Sequence, residues 1–367
     1  MNILFKLYKP LPNKKQKIKK PDKIKKPGKK PGKKPGKKPG KKPGKKPGKK
    51  PGKKPYKMPI KIPNLNEVMQ LKKDNSNTIV LLIALNYYSN DYNNQQLFGC
   101  INDIQKVKLL LLERGFVESN IMCMTDGPET PTTSKYFPNK ENILERMNDL
   151  FTGRVVDSDG KIIFTTKNKH RVLFYSGHGS VIPIDSPILL DTQYKQIDFI
   201  IPHDYDSNNY ESLISDIEIK NIINKNSAKP FNVSMFFDSC LNQSICNLAY
   251  GYYSTLNNKL QIPYQRTINN VTQYTNQNII NNNCQVFQMS GSTDKQYSID
   301  LNNGGNPNGA YTLAFLNCFK APYTYYKYTW KDLLMCQRKF LSSNNFEQIA
   351  QLSSARFSNI DKEFINF

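Results

Sequence analysis

The chain has 367 residues, a formal charge of +24 and a pI of about 9.5. Nearly all of that charge lies in residues 1–63, which hold 26 lysines and one acidic residue, whereas residues 64–367 have a net charge of −1. The basic pI therefore describes a tail, and the rest of the chain is close to neutral.

The N-terminal segment is a low-complexity polycation. From Lys25 it repeats Lys-Lys-Pro-Gly seven times and closes with Lys53-Lys54-Pro55-Tyr56. Proline at every fourth position blocks helix, glycine adds flexibility and no apolar side chain is available for a core. Residues 1–63 are therefore predicted to be a disordered basic tail. Two interpretations stay open: a repeat expanded without function, or an arm for non-specific contact with nucleic acid or an anionic membrane surface.

Residues 64–367 are long enough for one large α/β domain with its own core. No secretory signal is visible, and the longest apolar run, Thr78–Leu85, is far shorter than the roughly 18 residues of a membrane helix. The seven cysteines are scattered without metal-ligand spacing, and there are only three histidines. We therefore expect free thiols in a reducing compartment, no structural zinc site and a cytoplasmic location, which would be the host cytoplasm for a viral protein.

Apolar periodicity predicts strands that alternate with helices along this domain. The continuous apolar run Thr78–Leu85 is typical of a strand buried on both faces, and Cys100 to Arg114 repeats apolar side chains at helical spacing. The later predicted elements are a strand at 121–124, a helix at 141–151 capped by Asn139, a hairpin around 157–160, two strands that end near His178 and Cys240, a strand at 199–201, helices at 215–223, 309–319 and 330–341, and a strand at 285–289. This order predicts a mainly parallel sheet with helices on both faces.

Two of these strands end in reactive side chains, His178 and Cys240. If the strands are neighbours in a parallel sheet, both side chains emerge at its carboxyl edge, where α/β folds place their sites. A thiol and an imidazole held there form a nucleophile and its general base. The backbone N–H groups of Gly179 and Cys240 could then receive an oxyanion.

The alternative is that Cys240 is a small buried hydrophobic residue, as strand-end cysteines usually are. Its context favours the catalytic interpretation. Glycines on both sides of His178 should leave the imidazole accessible, and Asp238 places a carboxylate two residues before the thiol on an otherwise apolar strand, which is costly without a partner.

At these residues the chain resembles the metacaspases, the caspase-like cysteine peptidases. Tyr175–Gly179 matches the family's Tyr-Ser-Gly-His-Gly segment, which carries the catalytic histidine, and Asp238-Ser239-Cys240 matches the start of its Asp-Ser-Cys-His-Ser-Gly nucleophile segment. Weaker matches keep the family's order and are Leu97–Asp103, Met289–Asp294, Gly309–Thr312 and Gln351–Ser354. The resemblance implies a caspase-like three-layer sandwich over residues 64–367 and a cysteine endopeptidase that uses Cys240 and His178.

The resemblance further implies cleavage of protein or peptide substrates after Lys or Arg through an acidic pocket. The matching positions are Asp103 and Asp238, with Cys100 and Ser176 lining the pocket. Two carboxylates in a cleft would bind a basic side chain by charge-assisted hydrogen bonds. Taken alone, Asp103 is equally well explained as an acidic residue favoured by a helix N-terminus.

The chain departs from the metacaspase pattern after the nucleophile, where Leu241-Asn242-Gln243 replaces His-Ser-Gly. Because of this departure, two alternatives to an active peptidase stay open. One is a catalytically impaired caspase-fold pseudoenzyme that binds partners as a scaffold. The other is a nucleic-acid or surface-binding protein that acts through its basic tail. We expect a monomer in each case.

Calcium-dependent metacaspases bind the ion with several aspartates, and those positions are depleted here. The loop Val181–Gln196 contains only Asp185 and Asp191, the segment expected to read Asp-Asp-Glu is Ser215–Glu218, and Asn247 stands seven residues after Cys240 where the family has Asp. Since calcium needs several oxygen ligands with net negative charge, no cofactor is expected and calcium activation is doubtful.

Overall fold

The computed structural model describes residues 75–88, 96–167, 169–183, 196–239, 246, 248, 250–252, 264–265, 283–292, 300–301, 306–319, 328–356 and 358–363. The basic tail and Cys240 lie outside these ranges. The five helices of the described residues are α1 (Cys100–Glu113), α2 (Lys140–Thr152), α3 (Asp216–Lys225), α4 (Ala310–Cys318) and α5 (Trp330–Ser343).

The strands of the described residues fall into one large sheet and three small ones. The large sheet contains β1 (Ile79–Ala84), β2 (Ile121–Thr125), β5 (His170–Ser176), β9 (Phe231–Asp238), β10 (Tyr250–Tyr252), β11 (Tyr264–Gln265), β12 (Cys284–Ser290) and β15 (Gln351–Ser354). The small sheets contain β3 (Arg154–Val156) with β4 (Ile162–Thr165), β6 (Gly179–Pro183) with β7 (Gln196–Ile200) and β8 (Ile214–Ser215), and β13 (Asp300–Leu301) with β14 (Asn308–Gly309).

The large sheet has the order β11-β10-β15-β12-β9-β5-β1-β2. The five strands from β12 to β2 are parallel, and β15, β10 and β11 extend the sheet antiparallel. Helices α1, α4 and α5 form one packed group against the sheet, and α2 packs with α3 and β1. Every residue of β1 is fully buried. The predicted three-layer α/β architecture with a mainly parallel sheet is confirmed.

Local sequence signals explain where the helices begin and end. The Asn139 side chain accepts a hydrogen bond from the Asn142 amide at the start of α2, as its sequence position predicts. That helix ends at Gly153, which adopts a left-handed conformation with φ +83°. Ser215 and Glu218 form a reciprocal capping box at the start of α3.

The core between the sheet and the helix pair α4–α5 is built largely from aromatic side chains. Trp330 stacks on Phe287, with ring centroids 4.4 Å apart, and Phe315 meets Phe236 edge to face at 5.0 Å. Such pairs add roughly 0.5–1.5 kcal/mol to the area they bury. The packing fixes α4 against β9, the strand that leads to Cys240.

The expectation of free thiols throughout the chain is wrong for two cysteines. Cys318 at the end of α4 and Cys336 in α5 form a disulfide, with Cα atoms 5.9 Å apart. The two helices pack side by side and bring together residues that are 18 positions apart. Cys100, Cys123, Cys246 and Cys284 form no disulfide within the described residues. Within the described parts of the chain, none of the helices has the length and apolar character that a membrane crossing requires.

Candidate active site

The candidate site forms where β5 and β9 end side by side. The parallel register places Ser176 directly opposite Asp238, and the Gly177 amide donates to the Asp238 carbonyl over 3.2 Å. His178 follows Ser176, the last residue of β5, by two positions. Cys240 follows Asp238, the last residue of β9, by two positions as well. Cys240 itself lies outside the described residues, so its contact with His178 stays a prediction.

His178 is held through its backbone by two buried tyrosines. Its amide donates to the Tyr87 hydroxyl over 2.8 Å, and its carbonyl accepts from the Tyr175 hydroxyl at 2.7 Å and from the Ile201 amide at 3.2 Å. The Tyr87 hydroxyl also donates to the Ile201 carbonyl over 2.9 Å. Because burial raises the pKa of both tyrosines well above the usual value, both hydroxyls keep their protons and remain donors.

The imidazole itself is covered, contrary to the expectation from its flanking glycines. His178 is 3% exposed, and its ring packs 4.6 Å from the Tyr87 ring. Gly177 was predicted to leave the imidazole accessible, but the structure indicates a different role. A Cβ at this position would lie 2.6 Å from the Tyr175 hydroxyl and 3.1 Å from that of Tyr87. Glycine is needed so that the two tyrosines can approach the backbone.

Tyr87 is one of the functional candidates that the sequence did not reveal. It has φ +59°, in the left-handed region that a tyrosine rarely adopts. The Asp126 carboxylate holds this conformation by accepting from the Tyr87 amide and, at 2.8 Å, from the Asn86 amide. A conformation of this kind persists where the surroundings stabilise it, and such positions cluster at functional sites.

The predicted acidic pocket is assembled from three elements. Asp103 in the first turn of α1 is fully buried and accepts from the Ser176 hydroxyl at 2.9 Å and from the Gly309 amide at 3.1 Å. Asp238 at the end of β9 is 5% exposed and accepts from the amide and hydroxyl of Thr312 at 2.8 and 2.7 Å. The structure therefore brings Asp103, Asp238 and Ser176 together.

Gly309 lies between the two carboxylates. A Cβ at this position would lie 2.0 Å from the Asp238 Oδ2 and 3.0 Å from the Asp103 Oδ2. No other residue type fits without moving a carboxylate, so Gly309 belongs to the pocket, as does Thr312 one turn later in α4. Both were part of the matched segment Gly309–Thr312, but no sequence pattern indicated that they contact Asp103 and Asp238.

The remaining predicted site residues are Cys100 and Gly179. Cys100 begins α1, is 5% exposed and lies close enough to the hydroxyls of Tyr87 and Tyr175 that its charge would raise their pKa. It thus neighbours the tyrosine pair. Gly179 is buried at the start of β6, where it pairs with Ile200. Whether its amide forms an oxyanion site with Cys240 depends on a residue outside the described ranges.

Ser292 supports the residue that precedes the predicted nucleophile. Its hydroxyl donates to the Ser239 carbonyl over 3.2 Å, and the neighbouring Gly291 amide donates to the Phe237 carbonyl over 3.0 Å. Ser292 is fully buried. Gly291 and Ser292, which belong to a segment noted in the sequence only as a weak family match, therefore anchor the end of β9.

Of the expected calcium positions, the structure describes only Ser215–Glu218. Asp216 is buried in an ion pair with Lys220, and Glu218 caps α3 and pairs with Lys140 over 2.8 Å. Asp185, Asp191 and Asn247 lie outside the described residues. Within the described ranges there is no group of three or more His, Cys, Asp or Glu side chains that could hold a metal ion.

Comparison with known proteins identifies the family of this chain. The caspase domain family (peptidase C14) matches residues 77–360, which is most of the chain. The chain belongs to the caspase domain family.

Its relatives within that family include metacaspases from fungi and plants. The chain is 31% identical to metacaspase-1 of Eremothecium gossypii over 50% of this chain and 36% of the relative, and 26% identical to metacaspase-1 of Mycosarcoma maydis over 78% and 72%. It is 31% identical to metacaspase-9 of Arabidopsis thaliana over 44% of this chain and 42% of the relative. The chain thus matches less than half the length of two of these three proteins. These relatives support a caspase-family cysteine peptidase.

Solved structures similar to this caspase-family chain share little of its sequence. Protein GSU0716 of Geobacter sulfurreducens has 17% identity and a TM-score of 0.46, covering 77% of this chain and 94% of that one. Caspase-1 of Spodoptera frugiperda has 10% identity and a TM-score of 0.43, covering 77% and 88%. The fold assignment rests on the strand order and on the family match.

Proposed function

We propose that this chain is a cysteine endopeptidase of the metacaspase type that hydrolyses peptide bonds after Lys or Arg. The observation that carries the proposal is the meeting of Asp103 and Asp238 at Gly309, beside the end of the strand that leads to Cys240. The donors described for these carboxylates are amides and hydroxyls, which are neutral. A Lys or Arg side chain would bind two such carboxylates by charge-assisted hydrogen bonds.

The proposed reaction uses Cys240 as nucleophile and His178 as general base. His178 takes the thiol proton, and the sulfur attacks the carbonyl carbon of the Lys or Arg residue to give a tetrahedral oxyanion. Collapse breaks the C–N bond, and the imidazolium gives its proton to the leaving amine. Water, deprotonated by His178, then attacks the acyl-enzyme and releases the carboxylic acid and the thiol. The amides of Gly179 and Cys240 are the proposed donors to the oxyanion.

The tyrosine pair and Ser292 have positioning roles in this proposal. Tyr87 and Tyr175 form hydrogen bonds with the backbone of His178, and Ser292 forms one with the carbonyl of Ser239, next to the proposed nucleophile. Catalytic geometry tolerates errors of only about 0.5 Å. The buried hydrogen bonds restrict the movement of both backbone segments.

A fluorogenic assay tests the proposal. Purified protein is incubated with matched peptides that end in Arg, Lys or Asp before the fluorophore, and we expect turnover of the first two alone. A preference of the protein for the Asp peptide would contradict the proposal that the acidic pocket binds Lys or Arg.

The same assay separates the second candidate, a caspase-fold pseudoenzyme with a basic tail for anionic surfaces, which is favoured by Leu241-Asn242-Gln243 in place of the family's His-Ser-Gly. A pseudoenzyme would bind the Arg peptide, as measured by fluorescence polarisation of an uncleavable analogue, and would cleave none of the three.

A further inference from the structure

The segment that leads into α4 ends between the two carboxylates of the pocket. We call residues 306–309 the pocket arm, since Gly309 at its end lies between Asp103 and Asp238. The Gly309 amide donates to both carboxylate oxygens of Asp103, each at 3.1 Å. Gly309 is also the N-cap of α4, and because glycine has no capping side chain, the Asp238 carboxylate accepts from the Thr312 amide three residues later. The position of the pocket arm therefore affects how both aspartates are held.

Two further side chains of α1 bind the pocket arm. The Asn102 side-chain amide donates to the Pro307 carbonyl over 3.0 Å. The Lys106 ammonium donates to the side-chain oxygen of Asn308 over 2.6 Å and to that of Asn306 over 3.1 Å. Lys106 is four positions after Asn102, so the two side chains are neighbours on the surface of the helix. Together they contact three consecutive residues of the pocket arm.

Asn308 is the buried member of this set of contacts. It is 4% exposed, its side-chain oxygen accepts from Lys106, and its side-chain nitrogen donates to the Asn306 carbonyl over 2.7 Å. A buried oxygen that loses its donor keeps the full cost of its desolvation. Removal of the Lys106 ammonium should therefore displace Asn308 and, with it, the next residue, Gly309.

We infer that Lys106 is a positioning residue of the proposed pocket. Its ammonium holds Asn308, and Asn308 holds the adjacent Gly309 amide on the Asp103 carboxylate. A cation on α1 thus orders the wall of the pocket through neutral side chains. The effect on substrate rests on the proposed function, whereas the contacts between α1 and the pocket arm do not.

Amide hydrogen exchange of the full-length Cys240→Ala protein tests the contacts without peptidase activity. Lys106→Met is added to it, which removes the ammonium and keeps most of the side-chain stem. We expect the fragment that contains residues 306–312 to exchange about tenfold faster in this variant, because the Gly309 amide separates from Asp103 more often.

Two further variants make the exchange result specific. Lys108→Met, on a lysine of α1 that pairs with Glu118 at the surface, is the matched control and should leave the exchange unchanged. Asn308→Ala should speed the exchange about as much as Lys106→Met does. The double variant of Lys106 and Asn308 should be no faster than either single variant, as expected for two partners of one contact.

Kinetics with an Arg peptide test the effect on substrate. In the protein that keeps Cys240, Lys106→Met should raise KM about fivefold and leave kcat within about twofold, because the order of the pocket affects binding and not the reacting atoms. Unchanged exchange in Lys106→Met, additive effects in the double variant, or an unchanged KM would overturn the inference. Absence of turnover with every peptide would contradict the proposed function instead, and the exchange rates would still decide whether Lys106 holds the pocket arm.

Discussion

Two sites with buried aspartates in the described residues differ in their partners. Asp103 and Asp238 meet at Gly309 and accept hydrogen bonds from the amides and hydroxyls of Ser176, Gly309 and Thr312. Asp216 pairs with Lys220, one turn later on the same helix. The first site is proposed to bind a basic side chain from outside, whereas Asp216 has a cation on its own helix.

The comparison shows how one kind of residue acquires two functions. In both places burial makes ionised carboxylates costly. Asp216 lies beside a lysine of its own helix, which makes the pair part of the structure. Asp103 and Asp238 accept from amides and hydroxyls, and their site is proposed to bind a cationic ligand. The four predictions below test one or the other half of this difference.

The largest expected effect distinguishes Cys240, the proposed nucleophile, from Cys246, which lies near Asp216 and Lys220. Cys240→Ala should lower turnover by about a thousandfold or more, because it removes the nucleophile. Cys246→Ala should keep most of the activity, since Cys246 is fully buried and its raised pKa keeps it a thiol. Initial rates with an Arg peptide and inactivation by iodoacetamide measure both. Full activity in Cys240→Ala would contradict the assignment of Cys240 as the nucleophile.

A smaller effect is expected from the neutral donors of the pocket. Thr312→Val removes the hydroxyl that donates to Asp238 at 2.7 Å and leaves the amide in place. Since a hydrogen bond to a charged group contributes about 1.5–3 kcal/mol, KM for Arg peptides should rise about tenfold or more with kcat little changed. Thr312→Ser keeps the hydroxyl and should restore wild-type KM. A fall in kcat alone, or no rescue by serine, would show that Thr312 does not act through Asp238.

The smallest effect concerns the tail, whose many lysines are candidate substrates of the proposed pocket. Tethering raises their local concentration to roughly the millimolar range. We predict that wild type trims itself between about Lys54 and Lys73, with no change in kcat, and that Cys240→Ala stays full length. Intact mass spectrometry after incubation measures both. If wild type cleaves peptides and still stays intact, the tail is a tether.

The elements of the fold were predictable because their signals are local. The apolar run of β1, the cap at Asn139 and the stop at Gly153 each lie within a few residues of what they determine. The positions of Asp103, Ser176 and Asp238 were predicted from the family resemblance, and the structure shows that they share one place. Their role in binding Lys or Arg stays a prediction.

The residues that the sequence did not reveal act across long separations. Thr312 contacts Asp238 over 74 positions, and Tyr87 contacts His178 over 91. Lys220 has the sequence pattern of an ordinary surface pair with Asp216, and its burial depends on how β7 and β8 pack against α3. The disulfide between Cys318 and Cys336 depends likewise on the packing of α4 against α5. No short-range pattern reports such contacts.

The central claim, that Asp103 and Asp238 bind a cationic side chain, is tested most directly by one pair of peptides. They are identical except that one has arginine and the other citrulline before the scissile bond, which removes the charge and keeps the shape. Wild type should prefer the arginine peptide by about a hundredfold in kcat/KM. Asp103→Asn, whose amide oxygen can still accept from Ser176 and Gly309, should reduce that preference about tenfold, while the exposed control Asp159→Asn should not change it. Wild-type cleavage of both peptides at rates within about threefold would contradict the account.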